Sequence, residues 1–156
     1  MRILFVCTGN ICRSPTAEAV MRRMAADAGV GDAVKLDSAG LGDWHLDHPP
    51  DRRAVAAAER RGYDLSDMRA RLVRPADFEA FELIVPMTRD HERELNAMSS
   101  GRGAGVRRML TYAPSADRHD VPDPFYGDAR GFETMLDLIE DASRGLLAEV
   151  RDAWGR

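Results

Sequence analysis

The sequence predicts an α/β fold in which a parallel sheet of about four strands carries helices on both faces. Three observations predict it. The first apolar run, Ile3-Leu4-Phe5-Val6, has no polar alternation, which suits a strand buried on both sides. Short apolar runs then alternate with helical periodicities, and that alternation calls for right-handed crossovers between parallel strands. At 156 residues the chain is long enough to bury a real core, and residues 1–156 are read as a single domain.

Taken in order, Arg2 to Val6 is the first strand. Ser14 is placed to cap a helix with Pro15 in its first turn. Ala17, Val20, Met21, Met24 and Ala28 then form one apolar stripe, and Gly29 ends the helix. Ala33 to Ser38 is a second strand, interrupted by Lys35 and Asp37, with Ala39-Gly40 turning the chain away. Leu41 to Asp51 holds Gly42, Pro49 and Pro50 and is a loop, which exposes Trp44 unless that ring packs locally. Asp51 to Arg61 is an alanine-rich helix closed by Gly62, and Asp77 to Phe81 is a helical turn. Leu83-Ile84-Val85 is the third strand. Thr88 caps a helix running to about Met98, Ser99 to Gly105 is a surface loop, and Val106 to Tyr112 is a fourth strand. Ala113 to Asp128, rich in proline and without periodicity, is a long irregular loop. The last helix places Phe132, Met135, Leu136, Ile139, Leu146, Leu147, Val150 and Trp154 on one core-facing stripe.

Composition narrows the function classes. A formal net charge of -4 argues against general binding to nucleic acid or anionic membranes. No apolar run is long enough to span a bilayer, and no signal-peptide pattern opens the chain. A cytoplasmic protein is expected, with unconventional export left open. Two cysteines five positions apart make no disulfide framework, so reduced thiols are the default. His45 and His48 lie on a proline-bearing loop without thiol or carboxylate partners in a recognised pattern, and no metal site is expected.

The chemistry concentrates in Cys7-Thr8-Gly9-Asn10-Ile11-Cys12-Arg13-Ser14, between the first strand and the first helix. In open parallel sheets, ligands sit beyond the carboxyl ends of the strands. Five residues between Cys7 and Arg13 allow the loop to curl and point successive N–H groups inward as a nest for an oxyanion, with the helix N-terminus behind it. Gly9 is expected to supply an unusual backbone angle, with Asn10 the next most tolerant type. The same field favours the thiolate of Cys7: a free thiol of pKa ~8.5 falls to ~3.5 to 7.5 at helix N-termini or beside cations. Ser14 adds a hydroxyl. Arg13 presents a planar fork matched to two phosphate oxygens. Thiolate, cradle and guanidinium together specify phosphoryl transfer, which also needs a carboxylic acid to protonate the leaving oxygen and later deprotonate water.

This loop, with Asp37-Ser38-Ala39-Gly40, Asp43-Trp44-His45 and the late Asp123-Pro124-Phe125-Tyr126-Gly127, resembles the low-molecular-weight protein tyrosine phosphatase family over essentially the whole chain. The resemblance implies a flavodoxin-like fold and hydrolysis of phosphotyrosine monoesters through a phosphocysteine intermediate, without metal or cofactor. The implied partners are a tyrosine-phosphorylated protein as substrate and inorganic phosphate as product. It implies that Cys7 is the nucleophile, that Arg13 clamps the phosphate and that Asp123 is the general acid and then base. Thr8, Gly9, Asn10, Ile11, Cys12 and Arg13 would bind phosphate, and Ser14 and Ser38 would support them. Ile11, Trp44, Phe125 and Tyr126 would line a slot deep enough to favour a phosphorylated ring over phosphoserine.

Three positions depart from the family pattern. Met68 stands where many members carry a histidine bonded into the Asn10 and Ser38 network, Thr88 where aspartate is common, and Pro86 where a small residue is usual. Cys12 is either an inert neighbour or the partner of Cys7 in a protective disulfide. Two other activities are weighed. Arginine phosphatases of this fold are implied to use threonine at the position of Ile11. Thiol-dependent arsenate reductases need later cysteines, and none follows Cys12. A non-catalytic phosphate-binding module would be expected to lack Cys7, Arg13 or Asp123.

Overall fold

A computed structural model describes residues 1–101 and 103–154, the last by its backbone, so the core placement expected of the Trp154 ring lies outside the described residues. Four strands, β1 (Arg2–Cys7), β2 (Lys35–Gly40), β3 (Leu83–Pro86) and β4 (Gly105–Val106), form one sheet in the order β2-β1-β3-β4. Every pairing is parallel. The helices are α1 (Arg13–Asp27), α2 (Arg52–Glu59), α3 (Asp77–Ala80), α4 (Arg89–Ser99) and α5 (Ala129–Trp154).

The unbroken apolar run of β1 is explained by its central place. Ile3, Phe5 and Cys7 join the core that includes Ala17, Val20 and Met21 of α1, Ala54 of α2 and Phe132 and Met135 of α5. Leu4 and Val6 point the other way, into a smaller core with Phe78 of α3, Ile84 of β3 and Leu95 of α4. Each residue from Ile3 to Cys7 therefore loses its water to one of two apolar layers. Because β2 and β3 flank β1 on opposite sides, strand order switches at β1, and the switch leaves a crevice beyond its carboxyl end. Cys7 stands there.

The second strand starts later and runs further than its composition suggests. Gly31–Ala33 is a 3-10 turn, and Ala39-Gly40 does not turn the chain but continues the ladder, with Val6 opposite Ala39 and Cys7 opposite Gly40. Small side chains here serve close packing rather than a bend. The expected fourth strand is mostly absent: β4 ends at Val106, and Met109–Tyr112 is a 3-10 turn. Its apolar residues Met109, Leu110 and Tyr112 are buried against the α5 side of the sheet instead of extending it. Gly145 of α5 permits this, since a Cβ there would lie 2.0 Å from the Tyr112 carbonyl oxygen. The long loop after Tyr112 is irregular apart from a short turn at Pro114–Ala116, and it is anchored by fully buried Val121, whose N–H donates to the Met87 carbonyl.

Candidate active site

The loop from Cys7 to Arg13 is held by Asn10. Its backbone adopts φ 57°, in the left-handed region that asparagine tolerates better than most side chains. Its side chain uses its hydrogen-bonding capacity in three directions: Nδ2 donates to Ser14 Oγ at 2.8 Å and Ser38 Oγ at 3.0 Å, and Oδ1 accepts from the Arg71 N–H at 3.0 Å. Ser38 thus meets the loop through the Asn10 side chain. Gly9 does not supply the unusual angle; its backbone lies outside the positive-φ set. Its missing side chain makes room for His45, since a Cβ on Gly9 would lie 2.9 Å from His45 Cδ2. Gly40 is small for a related reason: a Cβ there would meet the Thr8 carbonyl oxygen at 2.8 Å.

Met68 is part of the hydrophobic core margin, and the third bond to Asn10 comes from the backbone of Arg71. That segment is fixed by its own side chain, which pairs with Asp37 of β2 at 2.9 Å and buried Asp77 of α3 at 3.0 Å. Burial and the two carboxylates act oppositely on the Arg71 guanidinium, and the net effect favours its charged form. Asn10 Oδ1 is thus met by the main chain at Arg71, not by the side chain at position 68.

Ser14 does not cap the first helix. Cys12 occupies the N-cap without a side-chain hydrogen bond, and α1 begins at Arg13. The Ser14 hydroxyl sits instead 3.0 Å from Cys7 Sγ and 3.4 Å from the Ala39 carbonyl oxygen. Because its oxygen already accepts from Asn10, its single proton is free to donate, and the sulfur is the nearer acceptor. Both cysteines are free thiols. Burial first, and the Asp51 carboxylate next, push the Cys12 thiol well up from its ordinary value, so Cys12 stays protonated at neutral pH.

Arg13 is only 5% exposed and is oriented from three sides. Its Nη1 donates to the Val121 carbonyl at 3.1 Å, and Nη2 faces Thr8 Oγ1 at 3.2 Å and Asp123 Oδ2 at 3.4 Å. Asp123 performs two tasks. Its Oδ1 accepts from the Phe125 N–H at 3.0 Å, the local turn that an aspartate before proline favours, and its Oδ2 remains turned toward Arg13.

A cleft of about 340 Å³ brings Cys7, Arg13 and Asp123 together with Ile11, Trp44, Phe125 and Tyr126. All four expected slot residues therefore line one cavity, which also takes in Thr8, Gly9 and Cys12. Trp44 is 70% exposed, and its ring lies over the α-carbon of Gly42, so local packing and slot lining coexist. Phe125 packs edge-on to Tyr126, with ring centroids 4.8 Å apart, while Tyr126 is 91% exposed. Among the described residues, no group of three or more His, Cys, Asp and Glu side chains is arranged to hold a metal ion.

Sequence reasoning missed three contributors. His45 lines the cleft and packs near Phe125 with ring centroids 6.0 Å apart. Arg53 of α2 pairs with Asp51 at 2.9 Å and donates to the Phe125 carbonyl at 2.9 Å, which ties the late loop to the helix after the Trp44 loop. His91 of α4 reaches Thr8 Oγ1 with Nε2 at 2.8 Å. Its one sequence signal is its place three residues after the helix cap Thr88, whose hydroxyl accepts from the His91 N–H at 3.1 Å.

The comparisons with known proteins agree with this geometry. The sequence model of the family described as low molecular weight phosphotyrosine protein phosphatase matches residues 2–154. A low molecular weight protein-tyrosine-phosphatase of Streptomyces coelicolor is 44% identical over 97% of this chain and 94% of its own. The crystal structure of YfkJ from Bacillus subtilis superposes with a TM-score of 0.92 at 37% identity, covering 98% of this chain and 96% of that one. A structure of the YwlE arginine phosphatase with a phosphorylated active-site serine gives a TM-score of 0.87 at 27% identity, covering 97% and 96%. With a match across nearly its whole length and Cys7, Arg13 and Asp123 gathered in one cleft, this chain belongs to the low molecular weight phosphotyrosine protein phosphatase family.

Proposed function

We propose that residues 1–156 act as one phosphatase domain that hydrolyses phosphotyrosine in protein substrates, with Cys7 as nucleophile, Arg13 as phosphate clamp and Asp123 as general acid and base. The observation that carries this reading is the meeting of Arg13 Nη2 with Asp123 Oδ2 at 3.4 Å in the cleft that also holds Cys7. Cys7 Sγ attacks phosphorus, forming the S–P bond as the bond to the phenolic oxygen breaks, and protonated Asp123 gives its proton to that oxygen. Charge on the equatorial oxygens is met by Arg13 and by the N–H groups of residues 8–13. The Asp123 carboxylate then takes a proton from water, whose oxygen attacks phosphorus. The S–P bond breaks, its electron pair returns to sulfur, which Ser14 stabilises as donor, and inorganic phosphate leaves.

Ile11, Trp44, Phe125 and Tyr126 suit a flat aromatic ring, and the apolar Ile11 offers no hydrogen bond to a guanidinium. This favours phosphotyrosine over phosphoarginine. No metal or cofactor enters the scheme, and no nucleic acid is a proposed partner. Among the described residues no helix is long and apolar enough to cross a membrane. Two free thiols suit a reducing compartment, and we place the protein in the cytoplasm. A competition assay of phosphotyrosine, phosphoarginine and phosphoserine peptides on one preparation tests the reading: release from phosphotyrosine should dominate, and preferential release from phosphoarginine would contradict it.

A further inference from the structure

Outside the three groups that do the chemistry, the most unusual polar side chain near the cleft is His91. It is 7% exposed, its Nε2 lies 2.8 Å from Thr8 Oγ1, and its Nδ1 is buried with no hydrogen-bond partner among the described residues. A buried polar atom left unpaired normally costs stability, so its retention calls for a reason in what the rest of the ring does. Among the described residues the ring makes one hydrogen bond, to the hydroxyl that Arg13 Nη2 faces from 3.2 Å.

We propose that His91 is a positioning residue, which fixes the Thr8 hydroxyl and through it the orientation of the Arg13 guanidinium over the transferred phosphoryl group. The proposal rests on the phosphatase reading above. Arg13 is held by the Val121 carbonyl on one nitrogen; the other nitrogen, Nη2, meets Thr8 and Asp123 among the described residues. Asp123 must change protonation state during the cycle, so its grip on Arg13 changes with it. Thr8 is the constant restraint on that nitrogen, and a threonine hydroxyl is constant only if its own rotation is stopped. His91 stops it from the far side, while the Thr88 cap fixes the first turn of α4 that carries the ring.

The chemistry of the ring fits this task. Burial and the nearby Arg13 charge lower the His91 pKa to about 4 against the opposing pull of Asp120 and Asp123, so the ring is neutral at working pH. A neutral ring adds no second cation beside Arg13 that would compete for the phosphate. A bare, unprotonated Nδ1 is also the less costly atom to bury without a partner, because an orphaned N–H donor is rarer than an under-satisfied acceptor. That leaves the proton on Nε2, donating to Thr8 Oγ1, whose oxygen then receives both the His91 and the Arg13 donors.

The test compares His91→Leu, His91→Gln and His91→Asn with wild type on a phosphotyrosine peptide and on p-nitrophenyl phosphate, alongside Thr8→Val and the Thr8→Val/His91→Leu double variant. Gln places an amide where Nε2 sits, whereas Asn reaches only to the Nδ1 position. The expected result is a loss of about tenfold or more in kcat for His91→Leu, with KM changed less, recovery to within about threefold in His91→Gln, and no recovery in His91→Asn. The double variant should be no worse than the poorer single variant, since both act through one contact. Activity of His91→Leu within about twofold of wild type, equal losses in the Gln and Leu variants, or multiplicative losses in the double variant would overturn the proposal. If His91→Leu does not fold, Thr8→Val with the Gln and Asn pair decides by the same criteria. Wild-type turnover that depends on Cys7, measured in the same series, separates failure of this inference from failure of the phosphatase reading.

Discussion

Asn10 sets the shape of the cradle, because one side chain joins the loop to α1, β2 and the segment at Arg71. Asn10→Ala removes three hydrogen bonds at a left-handed position and leaves the buried Ser38 hydroxyl and the Arg71 N–H short of partners. It should lower unfolding stability by roughly 2–4 kcal/mol in urea titration, with activity falling in parallel. Asp123→Asn removes the carboxyl proposed as proton donor and base. It should slow kcat for phenyl phosphate by about 10²-fold or more and affect p-nitrophenyl phosphate less in the bond-breaking step, because the nitrophenolate leaves without a proton. Steady-state and burst kinetics with both esters check this. The meeting of Cys7, Arg13 and Asp123 in one cleft was legible in the sequence because residue type and motif point to it. The contacts of His91 and Arg71 were not, because they join residues 83 and 61 positions apart.

At the scale of elements, two joints determine how the cleft is closed. Arg53 connects α2 to the turn after Asp123, and its guanidinium lies over the Phe125 ring at 5.5 Å. Arg53→Ala should raise KM for a phosphotyrosine peptide several-fold while kcat changes by less than about twofold, since the slot loses alignment and the cradle keeps its own support. Thr88 caps α4 with its hydroxyl, as the sequence indicates. Thr88→Ala should cost about 1 kcal/mol in unfolding stability, measured by thermal or denaturant melting. The limits of sequence reading show most clearly here. The stripe of α5 was readable and is buried from Phe132 to Val150, whereas Met109–Tyr112 reads as part of a strand, and the space at Gly145 lets those residues turn inward. In the same way Ala39-Gly40 carries a turn-like composition, but close contact between β2 and the Thr8 carbonyl makes those small residues part of a strand.

For the whole molecule, strand order and the cradle are one fact, since the crevice at Cys7 exists because β2 and β3 leave β1 on opposite sides. The alternation of strands and helices made that sheet legible, and the two-sided burial of β1 bears it out. One global property follows from the buried ring of His91. Its pKa of about 4 in the fold lies below the ordinary histidine value, so as pH falls from about 6.5 the unfolded chain takes up a proton that the folded chain refuses. Stability should therefore decline between about pH 6.5 and 4, by roughly 3 kcal/mol from this group, and level off below. Denaturant melts across that range should show a shallower decline in His91→Gln than in wild type.

The most direct measurement of the central claim is mass spectrometry of the Asp123→Asn variant quenched in acid during turnover of p-nitrophenyl phosphate. The good leaving group lets the phosphoenzyme form, while loss of the base slows its hydrolysis, so the intermediate accumulates. The account predicts one added phosphoryl group, located on Cys7 after digestion. A phosphoryl group on any other residue, or an unmodified enzyme under continuing turnover with a burst of product, would contradict it.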